Sequence, residues 1–152
     1  MIFMVKAKYG NNKCTVMGHT FDSKMEADYY LYLLEEQRKG NVLEFSLQPK
    51  INLQQQFRLA GKMVRAIMYT PDFMVKYSTG LEEYIDVKGT STQQGELKRK
   101  MYQFQYEREG GIPLIWVTQS KKYSTTGWID YFELKRIRRK NRLISVDKDS
   151  SV

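Results

Sequence analysis

Apolar residues recur every three to four positions between residues 21 and 41, in FDSKMEADYYLYLLEEQRKGN. On a helix with this period, one stripe carries Met25, Tyr29 and Leu33. Ser23 followed by Glu26 fits a capping box at the start of the helix, and a Gly-Asn pair fits its end. The pattern predicts an amphipathic helix over this segment.

Residues 70–89, TPDFMVKYSTGLEEYIDVKG, alternate apolar and polar side chains around a short turn. The loop STG has glycine in third place, which is typical of a type I turn followed by a left-handed residue. The turn predicts a hairpin with these opposed pairs: Tyr77 with Leu81, Lys76 with Glu82, Met74 with Tyr84, Phe73 with Ile85, and Asp72 with Asp86. The Cβ atoms of the two aspartates would lie roughly 4.5–5.5 Å apart. Lys88 would share their face, because side chains alternate along a strand.

A helical pattern over residues 93–111 and the apolar stretch IPLIWVTQ follow this hairpin. A strand, helix, strand order predicts a right-handed crossover and a parallel strand pair. Residues 1–20 are polar and contain glycine, which predicts an N-terminal arm, and residues 127–146 predict a basic C-terminal helix. We therefore expect a single α/β domain over residues 1–152, with a mixed β-sheet flanked by helices.

The composition, 41% hydrophobic and 28% charged, is that of a globular protein. No apolar run in the sequence is long enough for a membrane span. The single cysteine, Cys14, excludes an internal disulfide and a cysteine-based zinc site. The single histidine, His19, excludes the usual histidine-based triads unless it acts as the sole base. These counts favour a reducing, cytoplasmic setting.

The net charge of +8 favours a polyanionic partner, of which nucleic acid is the commonest. The cations that we expect to contact DNA lie in two predicted helices: Lys98, Arg99 and Lys100 in the first, and Lys135, Arg136, Arg138, Arg139, Lys140 and Arg142 in the second. The alternative is a solvated helix face, the commoner role of a charge run. Few acids balance these runs, which favours DNA contact.

Two aspartates opposed on a sheet can stay ionised if they share a divalent cation. Hard oxygen ligands with few histidines suit Mg²⁺, with Mn²⁺ as a substitute. Lys88 on the same face could orient an attacking water or stabilise developing negative charge. In the alternative interpretation, Asp72 is a turn residue after Pro71, and Asp86 pairs with Lys88.

The spacing of PD at residues 71–72 and DVK at residues 86–88 resembles the PD-(D/E)XK nuclease superfamily. The resemblance extends, in order, through KYGNNK, FDSKMEADYYLYL, LQPK, AIMYTPDF and DVKG, over about residues 8–118, to a phage-associated branch, the DUF1064 group. It implies a restriction-endonuclease-like fold and a magnesium-dependent nuclease. It also implies a role for each matching residue: Asp72, Asp86 and the carbonyl of Val87 hold the metal, Lys88 positions the water, Glu26 serves the metal or its water, and Gln48 contacts the site or the DNA.

Glu26 has an equally good structural interpretation, because it is the third residue after Ser23 in the capping box. A carboxylate that faces its own backbone is not expected to reach the site in the same rotamer.

The expected function is hydrolysis of DNA by an endonuclease from a phage or prophage, with branched DNA such as a Holliday junction as substrate. Two symmetric cuts would then require a homodimer. The alternatives are a nicking, restriction-type or end-processing nuclease, and a DNA-binding protein without chemistry. An RNA-binding module lacks the aromatic pattern of the commonest RNA-binding domain.

Overall fold

The computed structural model describes residues 3–6 and 12–149. Within them, the chain forms the following elements in order: β1 (Phe3–Lys6), β2 (Asn12–Val16), β3 (His19–Phe21), α1 (Lys24–Arg38), β4 (Val42–Leu47), β5 (Ile51–Gln54), β6 (Phe57–Leu59), β7 (Lys62–Val64), β8 (Ile67–Tyr69), β9 (Phe73–Tyr77), β10 (Glu82–Val87), α2 (Gln93–Gln105), a 3-10 turn (Glu107–Glu109), β11 (Leu114–Gln119), β12 (Trp128–Asp130) and α3 (Tyr131–Asp149).

The centre of the fold is a five-stranded sheet in the order β12-β11-β10-β9-β4. Strands β10 and β11 are parallel, and the other neighbours are antiparallel. Helix α2 makes the crossover between the two parallel strands, as a strand, helix, strand order requires. The predicted mixed sheet flanked by helices is confirmed.

The β9–β10 hairpin has the predicted register. Its paired residues are Lys76 with Glu82, Val75 with Glu83, Met74 with Tyr84 and Phe73 with Ile85. The amide of Tyr77 donates to the carbonyl of Leu81 at 2.8 Å, which closes the turn. One step beyond the last pair, the same register brings Asp72 beside Asp86.

Helix α1 covers one face of this sheet. Its N-cap is Ser23, whose Oγ accepts a hydrogen bond from the amide of Glu26 at 3.1 Å. The buried residues of α1 are Ala27, Tyr29, Tyr30 and Leu33, and they pack on Phe73, Val75 and Ile85. The alternate residues of the strands face the opposite way, where Leu114 and Trp116 form a second cluster with Leu53, Tyr69, Tyr102 and Tyr131.

The predicted N-terminal arm is wrong for the residues that the structure describes. Strands β2 and β3 form a hairpin that pairs with β1 and packs on α1. Cys14, Val16 and Phe21 are buried, because alternation in this short hairpin gives it one apolar face. Residues 7–11, which contain most of the expected turn, lie outside the described part of the chain.

The basic C-terminal helix begins later than the predicted residue 127. Residues Trp128–Asp130 extend the sheet by pairing with β11. The Asp130 carboxylate then accepts hydrogen bonds from the amides of Phe132 and Glu133, at 2.8 and 2.9 Å. This side-chain cap starts helix α3 at Tyr131. Among the helices of residues 12–149, none is long and apolar enough to cross a membrane.

Candidate metal and phosphate site

The predicted carboxylate pair lies at the end of the β9–β10 hairpin. Asp72 comes directly before β9, and Asp86 is the penultimate residue of β10. The Asp72 Oδ2 atom accepts a hydrogen bond from the amide of Val87 at 2.7 Å. Asp86 is only 4% exposed, an unusual position for a carboxylate unless it is paired.

Two side chains bind the Asp86 carboxylate, and a third holds one of them in place. Tyr69 donates its hydroxyl to Oδ2 at 2.5 Å, and the Lys88 ammonium lies 2.8 Å from Oδ1. Trp116 donates its indole N–H to the Tyr69 oxygen at 2.9 Å. The Lys88 ammonium also lies 5.0 Å from the centre of the Trp116 ring. The carboxylate is therefore held on both oxygens by a network of buried and half-buried groups.

Sequence reasoning missed Tyr69 and Trp116. Burial, followed by the Asp86 charge, raises the pKa of Tyr69, so its hydroxyl stays protonated and remains a donor. The available signal was the position of Tyr69 three residues before Asp72, in a strand that leads into the site. An aromatic residue in an apolar strand gives no indication, however, of where its hydroxyl will be bonded.

The Asp72 carboxyl is strongly perturbed. Burial, followed by the charges of Asp86 and Glu26, raises its pKa to about 9. Burial is also the main reason that the pKa of Glu26 is raised. Three carboxyl groups thus lie close enough to affect one another, in a region with too little positive charge to balance them.

The Glu26 carboxylate faces the backbone just before its helix and lines the site in one rotamer, contrary to the expectation that one placement excludes the other. Its Oε2 accepts a hydrogen bond from the amide of Asp22 at 3.2 Å. Its side chain nevertheless lines the same cleft as Asp72, Asp86 and Lys88. The two placements are compatible because the cleft opens at the N-terminal end of α1.

Gln48 contacts the backbone of Asp72. Its amide donates to the Asp72 carbonyl at 2.9 Å, and its φ of 48° lies in the left-handed region that residues with a Cβ seldom adopt. Its side chain, with His19, Glu26 and Asp72, lines a small cavity of about 140 Å³. Gln48 is thus placed to hold the backbone at Asp72, at a cost of roughly 1–2 kcal/mol in backbone strain.

The open cleft over the carboxylates has a volume of about 430 Å³. Besides the four groups above, its lining includes Val87, Thr92 and Lys98. Within residues 12–146, no group of three or more His, Cys, Asp or Glu side chains is arranged to hold a metal ion. Mg²⁺ commonly binds through one or two carboxylates together with water and substrate phosphate. The Asp72–Asp86 pair fits that ion, and its hard oxygen atoms do not suit zinc.

The predicted DNA-contacting cations of α2 have different surroundings. Lys98 lines the cleft and Lys100 is exposed. The Arg99 guanidinium instead lies against two stacked rings, 5.3 Å from the centre of Trp116 and 4.5 Å from the centre of Phe132. Its Nη1 donates to Gln103, and its Nε is buried without a hydrogen-bond partner. Of the three α2 cations, Arg99 is therefore the one whose guanidinium is covered by aromatic rings.

The predicted cations of α3 are all exposed. Four of them recur at helical spacing and, with Leu143, line a groove of about 600 Å³: Lys135, Arg138, Arg139 and Arg142. Arg136 is paired with Glu133 at 2.6 Å, and Lys140 lies outside the groove. The groove presents one continuous row of positive charge.

The fold and site define a mixed α/β protein in which a half-buried and a buried aspartate, with a lysine, lie at the ends of two interior strands of the central sheet. Residues 6–125 match the family described as "Protein of unknown function (DUF1064)". Because the match covers most of the chain, this protein belongs to the DUF1064 family. No curated protein matches the chain. No solved structure matches it either.

Proposed function

We propose that this protein is a metal-dependent DNA endonuclease of the PD-(D/E)XK type, which hydrolyses phosphodiester bonds with Mg²⁺ or Mn²⁺. The observation that carries the proposal is the paired placement of Asp72 and Asp86 in an open cleft, with the Lys88 ammonium 2.8 Å from Asp86. Two like charges side by side destabilise a fold unless a cation compensates them. A group retained at such a cost is a strong candidate for a functional site.

The residues that would hold the ion are Asp72, Asp86 and the carbonyl of Val87, with Glu26 serving the ion or its water. When bound, a divalent cation neutralises the phosphate and lowers the pKa of bound water. The chain itself supplies the alignment: Tyr69 and Trp116 fix the Asp86 carboxylate. A hydrogen bond from the Val87 amide fixes Asp72.

Lys88 has the position expected of a group that orients an attacking water. Its ammonium is held by Asp86, is about a quarter exposed, and lies in the cleft. It can therefore donate a hydrogen bond to a water or to a phosphate oxygen without moving its backbone. Lys98, in the same cleft, is placed to contact a neighbouring phosphate.

The groove on α3 supports a polyanionic substrate. Four cations at helical spacing can follow a phosphate backbone, and such contacts position DNA without reading its sequence. We therefore favour a substrate recognised by shape, of which branched DNA such as a Holliday junction is our proposal by analogy with phage resolvases of this superfamily. A homodimer would supply two cuts, and a phage-encoded enzyme would act in the host cytoplasm.

A DNA-binding protein without chemistry is the second candidate. It is favoured by the row of four cations on α3, which can contact phosphates without any contribution from the carboxylates. The basic groove of α3 would serve such a protein equally well.

Alanine variants at Asp72 and Asp86 separate the two candidates. We expect each variant to lose at least about 1,000-fold in cleavage rate, because each removes an ion ligand, and to keep its affinity for DNA. Glu82→Ala is the matched control, since it removes an acid from the same hairpin outside the cleft. Wild-type cleavage by both variants would refute the site. Binding by all proteins with cleavage by none would favour the second candidate.

A further inference from the structure

We propose that the β6–β7 ribbon, residues 57–64, is a second DNA-contacting element that enters a groove of the duplex beside the cleft. This inference rests on the proposed function, because it names how the substrate is held. The ribbon takes no part in the site described above.

The ribbon is a well-defined hairpin. Its paired residues are Phe57 with Val64, Arg58 with Met63, and Leu59 with Lys62. The turn residues Ala60 and Gly61 both have left-handed φ angles, of 47° and 74°. That combination is typical of the two-residue turn whose twist matches a β-ribbon. The shape is therefore specified locally.

Large apolar side chains on the ribbon remain in solvent. Phe57 is 43% exposed, Leu59 66% and Met63 50%, and every residue from 55 to 63 is exposed. A two-stranded ribbon is at best marginally stable alone, and exposed apolar residues at this density mark a surface that binds something. The register puts Phe57, Leu59 and Val64 on one face.

The charge on the ribbon identifies the partner. Between Glu44 and Asp72 the sequence contains no aspartate or glutamate. The ribbon and its flank carry Arg58, Lys62 and Arg65, and the segment contains no acid to balance them. A second copy docked ribbon to ribbon would oppose two sets of cations, whereas a phosphate backbone would neutralise one set.

The ribbon is also joined to the cleft. Strand β8 follows it, and Met68, Tyr69 and Thr70 line the cleft over the carboxylates. The β5–β8 pair at its base is anchored to the end of α2, where Tyr106, the residue directly after the helix, donates its hydroxyl to the Asn52 carbonyl at 2.5 Å. DNA with a phosphate in the cleft would thus pass close to the ribbon.

The dimensions of the ribbon suit duplex DNA. Its paired part is roughly 10 Å long, at about 3.3 Å per residue. The major groove, about 12 Å wide, admits a two-stranded ribbon. Three cations can then bind phosphates at the groove edges, while Phe57 and Leu59 contact base edges such as the thymine methyl group, as apolar side chains do in the major groove.

The test measures DNA affinity against salt concentration in the Asp72→Asn background, which prevents cleavage. Substituting alanine for Arg58, Lys62 and Arg65 together should reduce the slope of log K against log salt by about 2–3, since each phosphate contact contributes about 0.9. Phe57→Ser with Leu59→Ser should weaken binding several-fold with the slope unchanged. A matched control removes three cations outside the ribbon, of which the first two are exposed and the third is half-buried: Arg38, Lys39 and Lys76.

The outcomes are distinguishable. If the Asp72→Asn protein binds DNA and the ribbon variants bind with an unchanged slope and affinity, the ribbon inference is wrong and the nuclease proposal stands. If neither this protein nor the wild type binds any DNA, both are wrong. If the ribbon variants alter the monomer–dimer equilibrium in analytical ultracentrifugation but leave DNA binding by the monomer unchanged, the occupant is a second copy and the inference is overturned.

Discussion

Asp72→Asn is the substitution that tests the electrostatics of the site most cleanly, because it replaces an ionisable group with a neutral one and keeps the shape of the side chain. The asparagine oxygen can still accept the hydrogen bond that the Val87 amide makes at 2.7 Å. Ionisation of the carboxyl that it replaces is opposed by burial and by two neighbouring carboxyl groups. We therefore expect the variant to be inactive and more stable than the wild type.

The magnitude follows from the pKa of Asp72, which is raised from 3.8 to about 9 in the folded protein. Because the folded state holds this proton more tightly, stability from this group is present at low pH and is lost as the pH rises from about 4 to about 9. At pH 7 the loss is somewhat more than about 4 kcal/mol, at about 1.36 kcal/mol per pH unit above the ordinary pKa. Because Glu26 can also bind a proton and so relieve part of the repulsion, we expect the variant to be about 2–4 kcal/mol more stable than the wild type at pH 7.

Thermal unfolding at several pH values measures this effect. For a chain of this length, the variant should melt about 5–10 °C higher than the wild type at pH 7 without divalent cations. The difference should shrink towards pH 4, and Glu82→Gln, on the same hairpin, should show no such gain. Magnesium ions should raise the melting temperature of the wild type more than that of the variant. Equal stability of the variant and the wild type from pH 4 to pH 9 would refute the reasoning.

Three further predictions follow from the site and the basic surface. Tyr69→Phe should lower the cleavage rate roughly 10–100-fold, as loss of a ligand-orienting group does. It should also lower the free energy of unfolding in urea by about 1–3 kcal/mol, because Trp116 loses its hydrogen-bond acceptor. Unchanged values of both would exclude Tyr69 as a positioning residue. Lys88→Met should reduce cleavage at least about 100-fold while DNA affinity in filter binding changes only a few-fold; wild-type cleavage would remove Lys88 from the mechanism. Alanine at all four groove cations of α3, Lys135, Arg138, Arg139 and Arg142, should reduce the salt slope of DNA binding by about 3–4. An unchanged slope would show that this helix face is merely solvated.

The hairpin that carries the site could be predicted because its information is local. A three-residue turn and the alternation around it set the register, and the register then fixes which residues are opposed. The neighbouring position of Asp72 and Asp86 follows from sequence spacing alone. The strand, helix, strand order likewise suffices for the parallel β10–β11 pair.

The surroundings of the carboxylates depend on contacts between residues far apart in sequence. Tyr69 and Trp116 lie in strands of two different sheets and meet only after the domain has closed. Helix α2 shows the same limit: its spacing allows a stripe through Leu97 and Phe104, yet both are mostly exposed. The buried stripe passes through Tyr102, because the helix packs against the tyrosines beneath it.

Two further differences between the predicted and the observed structure come from contacts with residues that are distant in sequence. Residues Trp128–Asp130 are periodic enough to continue a helix, but the open edge of β11 provides hydrogen-bond partners that make them a strand. Arg99 appears in sequence as one of three consecutive cations, and only packing reveals that two aromatic rings cover it. In both cases the decisive partner lies outside the local pattern.

The most direct measurement is incubation of the wild-type protein with a four-way DNA junction and with linear duplex DNA, each in magnesium and in EDTA. We predict cleavage of DNA in magnesium, faster for the junction than for the duplex, and no cleavage of either in EDTA. Intact DNA in every reaction, or equal cleavage with and without the chelator, would contradict a metal-dependent nuclease built on Asp72 and Asp86.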